Sequence, residues 1–195
     1  MYVRSLVAKI RWILSFTKSG HRTEETLREA ALKREEFTYF KAKNVPPVPC
    51  TSSALDRALL FCRRVGLLDG NFRVTREARR VSNITKDEDD FLRSLGEYMQ
   101  GHIVDVTGRS VGYVRLKLAI KEIWRAKGAT LPRPREIQAT LEKGTGKSFD
   151  EETFAKTLNV LSGCRILVKY RRPIYLVPEA RETKTIARID EESIG

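Results

Sequence analysis

Hydrophobic positions along this chain recur mostly at spacings of three and four, the period of a helix buried on one side. Val3, Leu6, Val7, Ile10, Ile13 and Leu14 share one face of a helix over 2–18, with Arg4, Lys9, Arg11 and Lys18 at its polar positions. Thr23 is placed to cap a second helix through 34. Leu55, Leu59 and Cys62 fall at i, i+4 and i+7 and predict a helix over 53–65. Ser52 and Ser53 precede it as capping residues, and Asp56 completes a capping-box pattern with Ser53. Gly66 stands where the chain must turn to positive φ. The runs 67–68 and 72–74 then flank Asp69-Gly70-Asn71, and Asp-Gly between apolar residues is a hairpin signal. Thr75 is placed to cap a short helix carrying Arg76, Arg79 and Arg80.

The pattern continues with a capping box at 85–88 that opens a helix with Phe91, Leu92, Leu95, Tyr98 and Met99 on its apolar side. Residues 103–112 read as a strand or an extended linker. Leu116, Ile120, Ile123 and Trp124 line a helix over 111–127, and Pro134 starts another that runs to 143, since proline is tolerated in a first helical turn. Phe154, Leu158 and Leu161 line a helix from 150. Gly163 follows, and then the apolar runs 166–168 and 174–177 enclose 169–173. Helix, glycine and apolar pair thus occur twice, roughly 100 residues apart. The prolines of 44–49 interrupt regular structure, because each removes a donor and restricts its predecessor. The tail, 179–195, has mixed charge and few apolar residues.

Helix, glycine, small hairpin and basic residues in this order resemble the second half of a winged-helix domain, and the two occurrences resemble a tandem arrangement of that family. The resemblance implies a mainly α chain with small β-hairpins, an α+β class. It divides the chain into a first domain over 1–84 with a Pro-rich insertion, a connector over 85–108, a second domain over 109–178, and a mobile tail. It further implies that the helix ending at 65 enters a DNA major groove while the hairpin lies on the backbone.

Charge sharpens that expectation. The chain of 195 residues holds 37 Lys plus Arg against 25 Asp plus Glu, a net charge of +12. Residues 1–84 carry 17 of the basic side chains and only 8 of the acidic ones. A basic excess of this size favours nucleic acid as partner, because neutralised phosphates release counterions. Within it, Ser52, Ser53, Arg57, Arg63, Arg64, Asn71, Arg73, Arg76, Arg79 and Arg80 are the candidate DNA contacts of the first domain. Lys147, Lys156, Lys169, Arg171 and Arg172 are those of the second. The acidic start of the helix from 150 (Asp150, Glu151, Glu152) would repel phosphates, so that helix is the poorer reader.

Other chemistries find little footing. Three well-separated cysteines (Cys50, Cys62, Cys164) fit a reducing compartment rather than a disulfide framework. Neither His21 nor His102 has a neighbouring ligand, and the acidic run 87–90 suits a helix N-terminus. Gly146-Lys147-Ser148 lacks the upstream glycine of a phosphate loop, since Leu141 stands in its place, and it follows a helical pattern rather than a strand. No nucleophile or metal-protease motif is present. The basic residues within 2–18 interrupt any signal-peptide core, and no apolar run approaches the roughly 20 residues of a membrane span. The expectation is a cytoplasmic, non-enzymatic protein without cofactor. It would bind double-stranded DNA as a regulator or as a replication, segregation or mobile-element factor, and would be nucleoid-associated in a prokaryote. Self-association or a protein partner would use the 86–101 helix or the tail. The alternative is a protein-interaction subunit resembling the tandem winged-helix adaptors of chromosome-condensing complexes.

Overall fold

A computed structural model describes residues 6–18, 23–34, 37, 52–84, 87–127, 132–169 and 175–176. Eight α-helices carry the regular structure of these residues: α1 (Leu6–Lys18), α2 (Glu24–Leu32), α3 (Ser52–Arg64), α4 (Arg79–Asn83), α5 (Glu88–Gly101), α6 (Tyr113–Ala126), α7 (Pro134–Thr145) and α8 (Glu151–Gly163). The only strand pair among them joins β1 (Val168–Lys169) to β2 (Tyr175–Leu176), antiparallel, with Val168 opposite Leu176. The chain divides into two compact units, Met1–Tyr98 and Met99–Gly195, and the division falls inside α5.

In the first unit α1 packs against α2, α3 and α4. Ile10, Ile13 and Leu14 are fully buried on its apolar face. Lys9, assigned above to a polar position, is also buried, with its ammonium 5.8 Å from the centroid of the Phe37 ring. A lysine stem can cover apolar surface in this way while its charge meets an aromatic face. Trp12 stacks on Phe16 and meets Phe37 edge-on. The Thr23 hydroxyl caps α2 by accepting the Thr26 N–H at 3.3 Å. On α3 the buried positions 54, 55, 58, 59, 61 and 62 leave one exposed stripe. Asp87 accepts the Asp90 N–H at 2.8 Å in the first turn of α5. Thr85 lies outside the described residues.

The second unit packs α6 on α7 and α7 on α8. Pro134 opens α7, and Gly146 closes it at φ 65°. Two α7 side chains fix the connection to α8, with Gln138 donating to the Phe149 carbonyl and Glu142 accepting the Phe149 N–H, both at 2.9 Å. Asp150 caps α8 by accepting the Thr153 N–H at 2.8 Å.

The helix ends of α3 and α8 are alike. The N–H groups of Leu67 and Leu68 both reach the Cys62 carbonyl (2.8 and 3.2 Å), and those of Ile166 and Leu167 both reach that of Leu161 (2.9 and 3.2 Å). In α3 the left-handed residue is Gly66, at φ 73°; in α8 it is Arg165, at φ 62°, because Gly163 is still helical.

The expected α+β class with two β-hairpins is therefore corrected to a helical one. The reason is local hydrogen bonding. Leu67 and Leu68 give their amides to the end of α3, and the amides of Asn71 and Arg73 go to the Asp69 carboxylate. Only one bridge, Leu68 to Val74, is left where a wing was expected. Strands β1 and β2 are each two residues long, too short to amount to a sheet layer.

Candidate functional site

The exposed stripe of α3 carries Arg57, Leu60 and Arg64, with Arg63 beside it. Arg57, Leu60 and Arg64 are three and four residues apart, hence on one helical face. Ser52 and Ser53 form the first turn of α3 instead of preceding it. Asp56, expected in a capping box, pairs with Arg28 from α2, which Glu24 also holds.

Beyond Gly66 the chain closes a five-residue loop. Asp69 organises it: the carboxylate accepts the Asn71 N–H at 2.8 Å and the Arg73 N–H at 2.9 Å, while the Asp69 N–H donates to the Arg73 carbonyl at 2.8 Å. Phe72 sits at φ 58°, unusual for a bulky residue. The Arg63 guanidinium lies 5.4 Å from the Phe72 ring centroid, so α3 and the loop are brought together there. Asn71 and Arg73 are exposed at the loop. Thr75 ties the exit back, donating its hydroxyl hydrogen to the Gly66 carbonyl at 2.6 Å and accepting the Ala78 N–H at 3.3 Å. Arg76, Arg79 and Arg80 follow, all exposed, and Arg80 lies 3.5 Å from Glu97. An exposed pair of that kind contributes little stability.

Seven arginines between 57 and 80 thus face solvent on α3, the loop and α4 of one unit, with Asp69 and Glu77 as the only acidic residues among 57–80. Asp69 has two of its acceptor sites filled by backbone amides.

The candidates of the second unit are not gathered in this way. Lys147 lies 3.6 Å from the Asp105 carboxylate and 3.3 Å from the Ser110 carbonyl. Lys156 pairs with Glu152 at 2.9 Å, one turn back on α8. Lys169 lies on β1; Arg171 and Arg172 are outside the described residues, as are the prolines of 44–49 and the tail. Gly144 and Gly146 sit at the C-terminal end of α7, where carbonyls rather than amides point outward, so the Gly-Lys-Ser run does not form a phosphate cradle. On the apolar side of α5, considered above for self-association, Phe91, Leu95, Tyr98 and Met99 are buried and Leu92 is half-buried.

A feature missed in the sequence is a second loop of the same build. Asp105 accepts the Thr107 N–H at 2.8 Å, the Thr107 hydroxyl at 2.7 Å and the Arg109 N–H at 2.9 Å. These bonds, the Thr107 hydroxyl first, hold its carboxyl below the usual carboxylate range, with Lys147 adding to the effect. The signal was Asp-x-x-x-Arg directly after two apolar residues, Leu67-Leu68 before Asp69–Arg73 and Ile103-Val104 before Asp105–Arg109.

Among the described residues no group of His, Cys, Asp or Glu is placed to hold a metal ion. No helix among them is long and apolar enough to cross a membrane. Comparison with known protein families, with curated proteins and with solved structures returned no match.

Proposed function

We propose that this chain is a non-enzymatic protein that binds double-stranded DNA through the arginines of α3, the Asp69 loop and α4. The observation that carries the reading is the exposure of all seven arginines from 57 to 80 on one unit, with so little acidic charge among them. Guanidinium groups pair bidentately with phosphate, and each neutralised phosphate frees condensed counterions. The Arg57–Leu60–Arg64 stripe offers a helix side toward the duplex. The loop contributes Arg73 from a backbone already fixed by Asp69, so its ordering cost on binding is small. A regulator and a replication, segregation or mobile-element factor all fit this chemistry equally.

The test is binding to random-sequence duplex across a salt series, for the wild type and for an Arg57→Ala/Arg63→Ala/Arg64→Ala variant. Each phosphate contact contributes about 0.9 to the slope of log K against log salt. A steep wild-type slope that falls by roughly 2–3 in the triple variant supports the reading. Absence of wild-type binding at low salt overturns it.

A second reading, a protein-interaction subunit, is favoured by one observation. Val114 and Leu118, one turn apart on α6, are 69% and 54% exposed. Exposed apolar residues on one helix face suit a partner surface. Under that reading a Val114→Asp/Leu118→Asp variant stays folded but loses its partner, and the arginine variant does not.

A further inference from the structure

The two Asp-x-x-x-Arg loops are the same structure used twice, 36 residues apart. The correspondence runs bond by bond. The Asp69 N–H meets the Arg73 carbonyl at 2.8 Å, and the Asp105 N–H meets that of Arg109 at 2.9 Å. The Phe72 N–H meets the Asp69 carbonyl at 3.2 Å, and the Gly108 N–H meets that of Asp105 at 3.0 Å. The Thr75 N–H returns to the Leu67 carbonyl at 3.2 Å, and the Val111 N–H to that of Ile103 at 2.8 Å. Both carboxylates take the amides two and four residues on, at 2.8 and 2.9 Å in each loop. Single bridges close both, Leu68 to Val74 and Val104 to Ser110. The fourth loop position is left-handed in both, Phe72 at 58° and Gly108 at 82°. A shared backbone gives the fifth position the same Cα–Cβ direction relative to its loop. That position is arginine both times, and both arginines are exposed.

The fifth residue has no internal reason to be arginine. Its N–H and carbonyl close the loop, and any residue with a free amide supplies those. Asp105 is nearly buried and lies beside Lys147, so its charge is offset and does not oppose an anion at the loop. We propose that Arg109 is a second phosphate-binding residue for double-stranded DNA, equivalent to Arg73, and that the protein engages nucleic-acid backbone with both units. This rests on the DNA-binding reading above and extends it to the second unit, where Lys147 and Lys156 are already paired with Asp105 and Glu152.

The experiment measures duplex-DNA affinity of the full chain across a salt series for wild type, Arg109→Ala, Arg109→Lys, Arg73→Ala and the α3 triple variant. Circular dichroism checks that each is folded; Arg109→Ala keeps the backbone amide that Asp105 holds. The expected result is a slope reduced by about 1 in Arg109→Ala and in Arg73→Ala, and restored in Arg109→Lys, since a phosphate contact needs charge more than fork geometry. An unchanged slope in Arg109→Ala, with a reduced one in the triple variant, overturns the second site and leaves the first-unit reading intact. A wild type without affinity for DNA overturns both.

Discussion

The Tyr98 hydroxyl donates a hydrogen bond to the Val65 carbonyl at 2.9 Å, tying α5 to the turn that ends α3. Both groups are buried, and burial is the main reason the phenol ionises well above its ordinary range. A helix-terminal carbonyl needs a partner once water is excluded. Tyr98→Phe keeps the ring and removes the donor, so the first unit should lose about 1–2 kcal/mol. Urea unfolding followed by circular dichroism reads this directly. An unchanged midpoint would mean that another donor reaches Val65.

Arg165→Gly should stabilise the second unit. A residue with a side chain costs roughly 1–2 kcal/mol in the left-handed region, and glycine returns part of that as chain entropy. A net gain of about 0.5–1 kcal/mol, seen as a higher Tm, is expected. The converse exchange tests the same physics in α3. Gly66→Ala keeps a φ of 73° and places its Cβ 3.2 Å from the Tyr98 Oη, so it should lower Tm.

Asp105 makes stability depend on acid. Its folded-state pKa is depressed, so the ionised form stabilises the fold at any pH above the unfolded value of about 3.9. That contribution disappears as pH falls through the lower, folded value. Wild type should therefore be more stable than Asp105→Asn at neutral pH, and the gap should narrow below pH 4. Thermal melts from pH 7 to 2.5 test this, and a gap independent of pH would refute it.

Cys164 should be inert. Burial pushes its thiol up to about 12, leaving almost no thiolate at neutral pH. Alkylation of native protein with iodoacetamide, read by peptide mass spectrometry, should spare Cys164 until denaturant is added.

Much of the helical layout was legible because its signals are local and periodic. Leu55, Leu59 and Cys62, and likewise Phe154, Leu158 and Leu161, are buried as their spacing implied. Gly66 and Pro134 mark helix ends for steric reasons that do not depend on the rest of the fold. What could not be read were choices between competing partners. Asp69-Gly70 signals a turn, but sequence does not say that the carboxylate will take the amides a strand ladder would have used. Gly163 was the obvious residue for the turn after α8, yet it is the last helical residue and the left-handed position falls to Arg165, two residues before the buried Leu167. Among the site residues, the exposed arginines of α3 and α4 followed from helical phase. The engagement of Lys147 with Asp105 depends on a contact across 42 residues, which no local pattern encodes.

The aspartate loops also bear on pairing of strand edges between copies of the chain. A hairpin that pairs over many residues exposes a row of free amides and carbonyls, a template on which another chain can add. Here each loop closes with a single bridge, and its inner amides face a carboxylate that no second chain can displace without exposing it. A turn built on a side chain in place of a ladder gives a rigid arginine mount with almost no adhesive edge.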